Sequence, residues 1–421
     1  MAIEPTTVTE IVRHQAERGK AASREVALLT TQQKNGALQA MASALRDQTP
    51  GILEANAADV ERARAEATPA HMIDRLSLSP KRIDDMAIMI EAVAALPDPV
   101  GEEIAQDTRP NGLAIQRVRV PIGLIAVIYE ARPNVTSDVA ALCLKAGNAV
   151  LLRGGSDAYA SSKAIVDVLR GAIAPFVNPD AVQLVETTDR QGVIALLTLN
   201  GLVDLAIPRG GADLIAIVVS TATVPTIETG VGNCHIYVEA TADEAMAEAI
   251  AVNAKVSRPS VCNAAETLLV DRAIAPRLLP HLGAALREHG VELRVDDEAG
   301  RILGYGTPAT EADWATEFLD LILAVRVVGG LDEALAHISR YGSSHSEAIV
   351  TRDEAAAERF LREVDAAAVY VNASTRFTDG FEMGLGAEIG ISTQKMHARG
   401  PMGLRELTSY KWIVRGSGQV R

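Results

Sequence analysis

The chain has only three cysteines in 421 residues, far apart and with no Cys-x-x-Cys pair. That excludes a disulfide framework and a thiolate zinc site, and a reducing compartment is the natural setting. Eight histidines are scattered without an HxxxH or HExxH spacing, so a metal finds no support. Positive charge is also short: 40 basic against 54 acidic residues give a net charge of −14, which argues against nucleic-acid binding through bulk charge. The strongly apolar piece Ile122 to Tyr129 is far too short to cross a bilayer. Acidic and basic residues (Glu4, Glu10, Arg13, Glu17) leave no room for a signal-peptide core, and a soluble cytoplasmic protein without membrane partners is expected. No GxGxxG turn is present, so the standard dinucleotide fingerprint is absent as well.

What is there fits a globular protein of two lobes: 48% of the residues are apolar, and the length is large for one core. From about Val8 to Leu96 the pattern is that of successive amphipathic helices, broken at Pro50-Gly51, at Pro69 and near Pro80. Arg109-Pro-Asn-Gly112 is a turn signal, and Leu113 to Val120 alternates like a strand with one wet face. The C-terminal run Leu407 to Arg415 alternates in the same way and is expected to pair with Leu113 to Val120 of a neighbouring subunit. From Gly123 a βα rhythm begins, with strands at 124–129, 149–152, 182–185 and 203–207 and helices at 137–146, 158–174 and 191–199. Alternation at this spacing predicts a doubly wound parallel sheet with ligands beyond the carboxyl ends of its strands. Those ends carry Glu130-Ala-Arg-Pro-Asn134, Arg153-Gly-Gly155 and Pro208-Arg-Gly-Gly211. Glycine amides beside an arginine fork suit a phosphate, although each turn alone is equally an ordinary βα connection. A second βα series follows, with helices at 243–254, 273–288, 331–338 and 353–363 and strands at 267–270, 321–328 and 367–371.

Between the first helix and strand of that series lies Cys262, behind Pro259 and downstream of Lys255 and Arg258. Nearby cations and backbone amides favour the reactive thiolate, whereas most cysteines only fill space. Cys143 sits in an apolar helical stretch and reads as core. Cys234 precedes His235, but neighbours in a strand point to opposite faces and cannot readily share a proton, so it ranks second as a nucleophile.

The Arg-Pro-Asn turn, Arg153-Gly-Gly, Glu228-Thr-Gly, the Cys262 loop and Glu317 to Val325 together resemble the aldehyde dehydrogenase superfamily. Val120 to Asp138, Ser257 to Thr267 and Ile389 to Lys395 resemble, within it, the γ-glutamyl phosphate reductase family, and the likeness runs through nearly the whole chain. It implies an α/β fold of two doubly wound lobes plus a small β element for oligomerisation. Residues 1–107 and 120–226 would form the cofactor-binding domain, 227–385 the catalytic domain, and 108–119 with 404–421 the oligomerisation strands. The implied reaction is NADPH-dependent reduction of L-glutamyl 5-phosphate to glutamate 5-semialdehyde and phosphate, in proline biosynthesis.

Carried over by resemblance, Cys262 is the nucleophile, and Asn134 shares an oxyanion hole with the backbone N–H at the nucleophile. Glu317 holds the nicotinamide ribose, and Arg153 reaches the adenosine ribose or its phosphate. Ser156 stands where NAD-preferring relatives often carry an acid, which suits a 2′-phosphate. Arg132, Arg258 and Arg376 are candidates for the substrate's carboxylate and phosphoryl group. Glu228 falls where hydrolytic relatives keep a water-activating base, but the residues around it differ, and a structural carboxylate is the other reading. A homo-oligomer is expected, and the substrate's instability raises a complex with glutamate 5-kinase. A hydrolytic NAD-dependent dehydrogenase and a non-catalytic dinucleotide-binding subunit are the competing readings.

Overall fold

A computed structural model describes residues 7–130 and 132–421. The first six residues, which entered the reading of the N-terminus, and Ala131 of the Arg-Pro-Asn turn lie outside them. Among the described residues no helix is long and apolar enough to cross a membrane. The chain divides into two compact units: Met1–Thr229 with Gly384–Gly390 and Met402–Arg421, and Gly230–Met383 with Ile391–Pro401.

The first unit opens with five helices, α1 (Val8–Val26), α2 (Thr31–Asp47), α3 (Thr49–Ala65), α4 (Ala70–Leu76) and α5 (Pro80–Ala95). Reciprocal caps start two of them, Thr7 with Glu10 and Thr30 with Gln33. The prolines mark beginnings: Pro50 and Pro80 lie in first turns, where a missing N–H has no partner to lose, and Pro69 is an N-cap.

Next come β1 (Glu103–Thr108) and β2 (Ala114–Pro121), antiparallel, with the C-terminal strand Thr408–Arg415 on the far side of β2. The expected exchange with a neighbouring subunit is corrected here, because Thr408–Arg415 pairs with its own β2 from Pro121 to Ala114. Two local contacts favour this closure. Asn148 Nδ2 donates to the Leu407 carbonyl at 2.8 Å, and the Arg117 guanidinium lies 5.0 Å from the Tyr410 ring centre and 5.7 Å from that of Trp412.

The parallel sheet of this unit is β3 (Leu124–Tyr129), β4 (Ala149–Arg153), β5 (Val182–Leu184) and β6 (Leu205–Arg209), in spatial order β5-β4-β3-β6. Helices α6 (Pro133–Lys145), α7 (Tyr159–Ile173) and α8 (Gln191–Thr198) connect them, and α9 (Ala212–Thr221) follows β6. Strand order reverses between β3 and β6, and such a reversal opens a crevice beyond the strand ends. Helix α9 was not expected, since its run of Ile and Val reads as strand, and Ile217 and Val219 stay about half exposed.

The second unit is a seven-stranded parallel sheet in the order β10-β9-β11-β8-β7-β12-β13. Its strands are β7 (Cys234–Val238), β8 (Ala265–Asp271), β9 (Glu292–Val295), β10 (Thr307–Pro308), β11 (Ile322–Val328), β12 (Ser346–Val350) and β13 (Ala368–Val371). On one face Ile236, Leu268 and Val270 pack with α10 (Glu244–Val256), α11 (Ala275–Glu288) and α12 (Asp297–Leu303). On the other, Tyr237, Leu269 and Ile349 pack with α13 (Leu331–Tyr341) and α14 (Glu354–Glu363).

Two buried pairs of polar side chains lie at this sheet. Glu347 of β12 accepts both the backbone N–H of His235 at 2.8 Å and its ring Nδ1 at 3.0 Å. Lys255 of α10 donates to Glu266 of β8 at 2.6 Å, with neither side chain exposed. The expectation of Lys255 as a loop cation beside Cys262 is corrected by that pair, which turns the ammonium into the sheet. Burial draws both partners toward neutrality, lowering Lys255 and lifting Glu266 to about 7. Lys255→Met, which leaves the buried carboxylate alone, should lower stability by about 3–5 kcal/mol, and Lys255→Met with Glu266→Leu should regain most of it in denaturant titrations.

Candidate active site

Cys262 lies at the second position of a tight turn, Val261 to Ala264, closed by the Ala264 N–H on the Val261 carbonyl at 3.0 Å, just before β8. It is the half-buried cysteine of the three; Cys143 and Cys234 are buried. Burial pushes the Cys143 thiol up, as a core cysteine requires. Cys234 does not pair with His235, whose ring is taken by Glu347. Its sulfur instead lies 3.2 Å from the Cys262 carbonyl oxygen and 3.7 Å from His345 Nδ1.

The segment before β7 presses directly on the turn of Cys262. A Cβ built on Gly232 would stand 1.6 Å from the Cys262 carbonyl oxygen, so only glycine fits. The Gly232 N–H donates to Glu317 at 2.8 Å, and burial raises the Glu317 carboxyl. Glu317 and Cys262 thus meet through one glycine, the last of Glu228-Thr-Gly-Val-Gly232, to which the sequence alone assigns no role because close backbone approach leaves no local signal. Two residues beyond Glu317, Leu319 adopts φ +55°, a strained conformation for this side chain, and its N–H donates to Glu266 at 3.3 Å.

Cations gather on the other side of the turn. Arg376 donates through Nε to Ser257 Oγ at 3.0 Å and through Nη1 to Asn263 Oδ1. Burial and then the neighbouring Arg258 lower the Arg376 guanidinium, while Asp379 and Cys262 oppose them. The Asn263 side chain in turn donates to the Thr378 carbonyl at 2.8 Å, and its own carbonyl accepts from Thr375 Oγ1 at 2.7 Å. Cys262, Glu317, Arg258 and Arg376 are therefore one cluster within the second unit.

The remaining expected residues belong to the first unit. Asn134, exposed in the first turn of α6, gives one amide hydrogen to Asp138 Oδ2 at 3.1 Å. Burial lifts the Asp138 carboxyl to about 6 against the lowering by Asn134, Arg209 and Ser137. Arg132 is the N-cap residue of the same helix and is half-buried. Arg153 ends β4 nearly buried, and its guanidinium donates to the carbonyls of Gly154, Thr188 (2.7 Å) and Asp189 (3.3 Å). Ser156 begins the short turn ahead of α7, its hydroxyl on Asp157 Oδ1 at 3.2 Å. Arg62 of α3, which no motif marked, donates to the carbonyls of Ser156 (3.1 Å) and Asp157 (2.9 Å). Glu228 is half-buried in the segment after α9.

Known proteins place this architecture. The aldehyde dehydrogenase family profile matches residues 4–301, which defines the class as an oxidoreductase of that family. γ-Glutamyl phosphate reductases from Carboxydothermus hydrogenoformans and Moorella thermoacetica are 58% and 57% identical. The first match covers 96% of this chain and 98% of that protein, the second 97% and 98%. The crystal structure of γ-glutamyl phosphate reductase from Thermotoga maritima superposes with a TM-score of 0.95 at 50% identity, over 97% of this chain and 99% of that one. An acetylating aldehyde dehydrogenase from Geobacillus thermoglucosidasius shares the fold at 18% identity, with a TM-score of 0.71 over 98% of each chain. The chain belongs to the aldehyde dehydrogenase family, in its γ-glutamyl phosphate reductase branch.

Because the Cys262 carbonyl occupies the space of a side chain at position 232, Gly232→Ala should displace the turn. A drop in kcat of at least about tenfold, with the folded state retained by circular dichroism, is the expected result.

Proposed function

We propose that this chain reduces L-glutamyl 5-phosphate to L-glutamate 5-semialdehyde and phosphate with NADPH, through a thioester on Cys262, as a cytoplasmic step of proline biosynthesis. The observation that carries this reading is the half-buried Cys262, held at a tight turn with Arg258 and Arg376 beside it and Glu317 one glycine away. Matches at 58% and 57% identity over nearly the full length of γ-glutamyl phosphate reductases support the substrate.

The chemistry follows from the residues. The Cys262 thiolate attacks the acyl carbon, and a backbone N–H at the turn and the Asn134 amide stabilise the oxyanion. The C–O bond to phosphate breaks, phosphate departs with the electron pair, and a thioester remains. Arg132, Arg258 and Arg376 supply the cations that the substrate's carboxylate and phosphoryl group need. A bound reduced nicotinamide supplies the hydride that brings the acyl group to the aldehyde level. Cys262 then leaves as thiolate.

The first unit's parallel sheet fits a dinucleotide, since its strand order reverses between β3 and β6. Glu317 would hold the nicotinamide ribose. Arg153 and Ser156 would lie at the adenosine end, where an uncharged Ser156 admits a 2′-phosphate. The first unit is then the cofactor-binding domain and the second the catalytic domain. The β1–β2–C-terminal sheet, with two unpaired edges, serves homo-oligomerisation, and glutamate 5-kinase is the partner that would hand over the labile substrate.

Oxidation of glutamate 5-semialdehyde in the reverse direction should require phosphate, because phosphate cleaves the thioester. Phosphate-independent formation of free glutamate, with Glu228 activating water, would instead establish the hydrolytic reading. Cys262→Ala should abolish the phosphate-dependent oxidation while NADPH binding, followed by fluorescence, persists; turnover by this variant would overturn the proposal. Glu317→Ala should raise KM for NADPH about tenfold or more and slow Cys262 alkylation far less. Equal loss of both would remove Glu317 from the ribose.

A further inference from the structure

We propose that Cys234 is a positioning residue for Cys262: its thiol hydrogen bond to the Cys262 carbonyl holds the nucleophile's turn in one of two orientations. The inference rests on the reading of Cys262 as the nucleophile and adds a residue to its machinery.

The Val261 to Ala264 turn has a central peptide whose carbonyl belongs to Cys262 and whose N–H belongs to Asn263. In tight turns this peptide takes either of two orientations related by a flip of about 180°, type I or type II. Type II requires a positive φ at the third position, and asparagine is among the few residues that accept one. The sequence therefore permits both. In the structure Asn263 keeps a negative φ, which excludes type II. The Cys262 carbonyl points at β7, where it meets the Cys234 sulfur at 3.2 Å and fills the place of a missing Cβ at Gly232. Planarity then aims the Asn263 N–H the opposite way. A flip would exchange the two ends of the dipole, carrying a partly negative carbonyl to the side that now has a partly positive N–H. Amides favour a thiolate and carbonyls oppose it.

Cys234 suits the donor's task. Burial, followed by the carboxylate of Glu347, the Cys262 thiol, and Glu266 and Glu317, raises its thiol well above the ordinary value, so it keeps its proton. The rival acceptor, His345 Nδ1, is farther at 3.7 Å, and its ring is held neutral by burial, with Nδ1 also on Ser346 Oγ at 2.8 Å. The shorter contact takes the hydrogen. The groups around the turn are then Cys234 and Glu317 on the β7 side, Arg376 and Arg258 on the other, and the Lys255–Glu266 pair beneath.

The test is the pH profile of Cys262 alkylation by iodoacetamide, together with kcat and the KM for NADPH, in Cys234→Ala and Cys234→Ser. With the donor removed, Cys234→Ala should shift the profile upward and slow alkylation at pH 7 about three- to tenfold, the effect of a rise of roughly half to one pH unit. Cys234→Ser retains an O–H and should restore most of the rate, and KM for NADPH should change little in either. An unshifted profile in Cys234→Ala overturns the proposal. So does an equal defect in both variants together with a lowered melting temperature, which would make Cys234 packing alone. If the labelled thiol is absent from Cys262 itself, the nucleophile assignment fails instead.

Discussion

The contact on which the second unit's site depends is the approach of the Gly232 backbone to the Cys262 carbonyl. Two backbones can come this close only where one of them has no side chain. From that contact the rest follows: the Gly232 N–H is left facing Glu317, and the Cys234 thiol comes within reach of the same carbonyl. Cys262 and the Glu317 carboxylate lie on different loops, 55 residues apart in the chain (317 − 262), and one glycine sets their spacing.

The turn is fixed from its other end as well. Asn263 is tied by its side chain to the Thr378 carbonyl and by its carbonyl to Thr375, so the segment after β13 holds what β7 leaves. If Cys262 is the nucleophile proposed above, a backbone that has lost its alternatives starts the reaction with less to organise, which is the physical content of preorganisation. The arginine beside it is held in the same manner, with Arg376 donating to Ser257 and Asn263 and so spanning the turn.

Much of the fold was legible in the sequence, because period and punctuation act locally. The prolines at 50, 69 and 80 marked helix boundaries, and the buried strand Leu124–Tyr129 stood out by its apolar run. Strand Ser346–Val350 did not, since its buried Glu347 reads as exposure until His235 on the neighbouring strand supplies the partner. Helix α9 was hidden by its β-branched residues, which read as strand although the chain there is helical. Of the candidate site, Cys262, Glu317, Arg258 and Arg376 were recognised by family likeness and are clustered by the structure. Gly232, Cys234's contact and the Arg62 bonds to the Ser156 turn depend on tertiary approach, which no local pattern encodes. The C-terminal strand was read correctly as a strand and matched to the right partner, Leu113 to Val120, but in a neighbouring subunit, because alternation says nothing of which copy of the chain supplies the edge.

The buried pair of Lys255 and Glu266 also ties one helix to one strand across the loop between them. Glu266 lies in β8, the central strand with three strands on either side, and an isolated carboxylate there would oppose the sheet's closing. Its counter-ion rides on the preceding helix, so the seating of β8 in the sheet and the docking of α10 support each other. The loop joining that helix to that strand is the one that carries Cys262. The turn of Cys262 is thus spanned by two elements that one buried ion pair ties together, so whatever loosens α10 from β8 also loosens that turn.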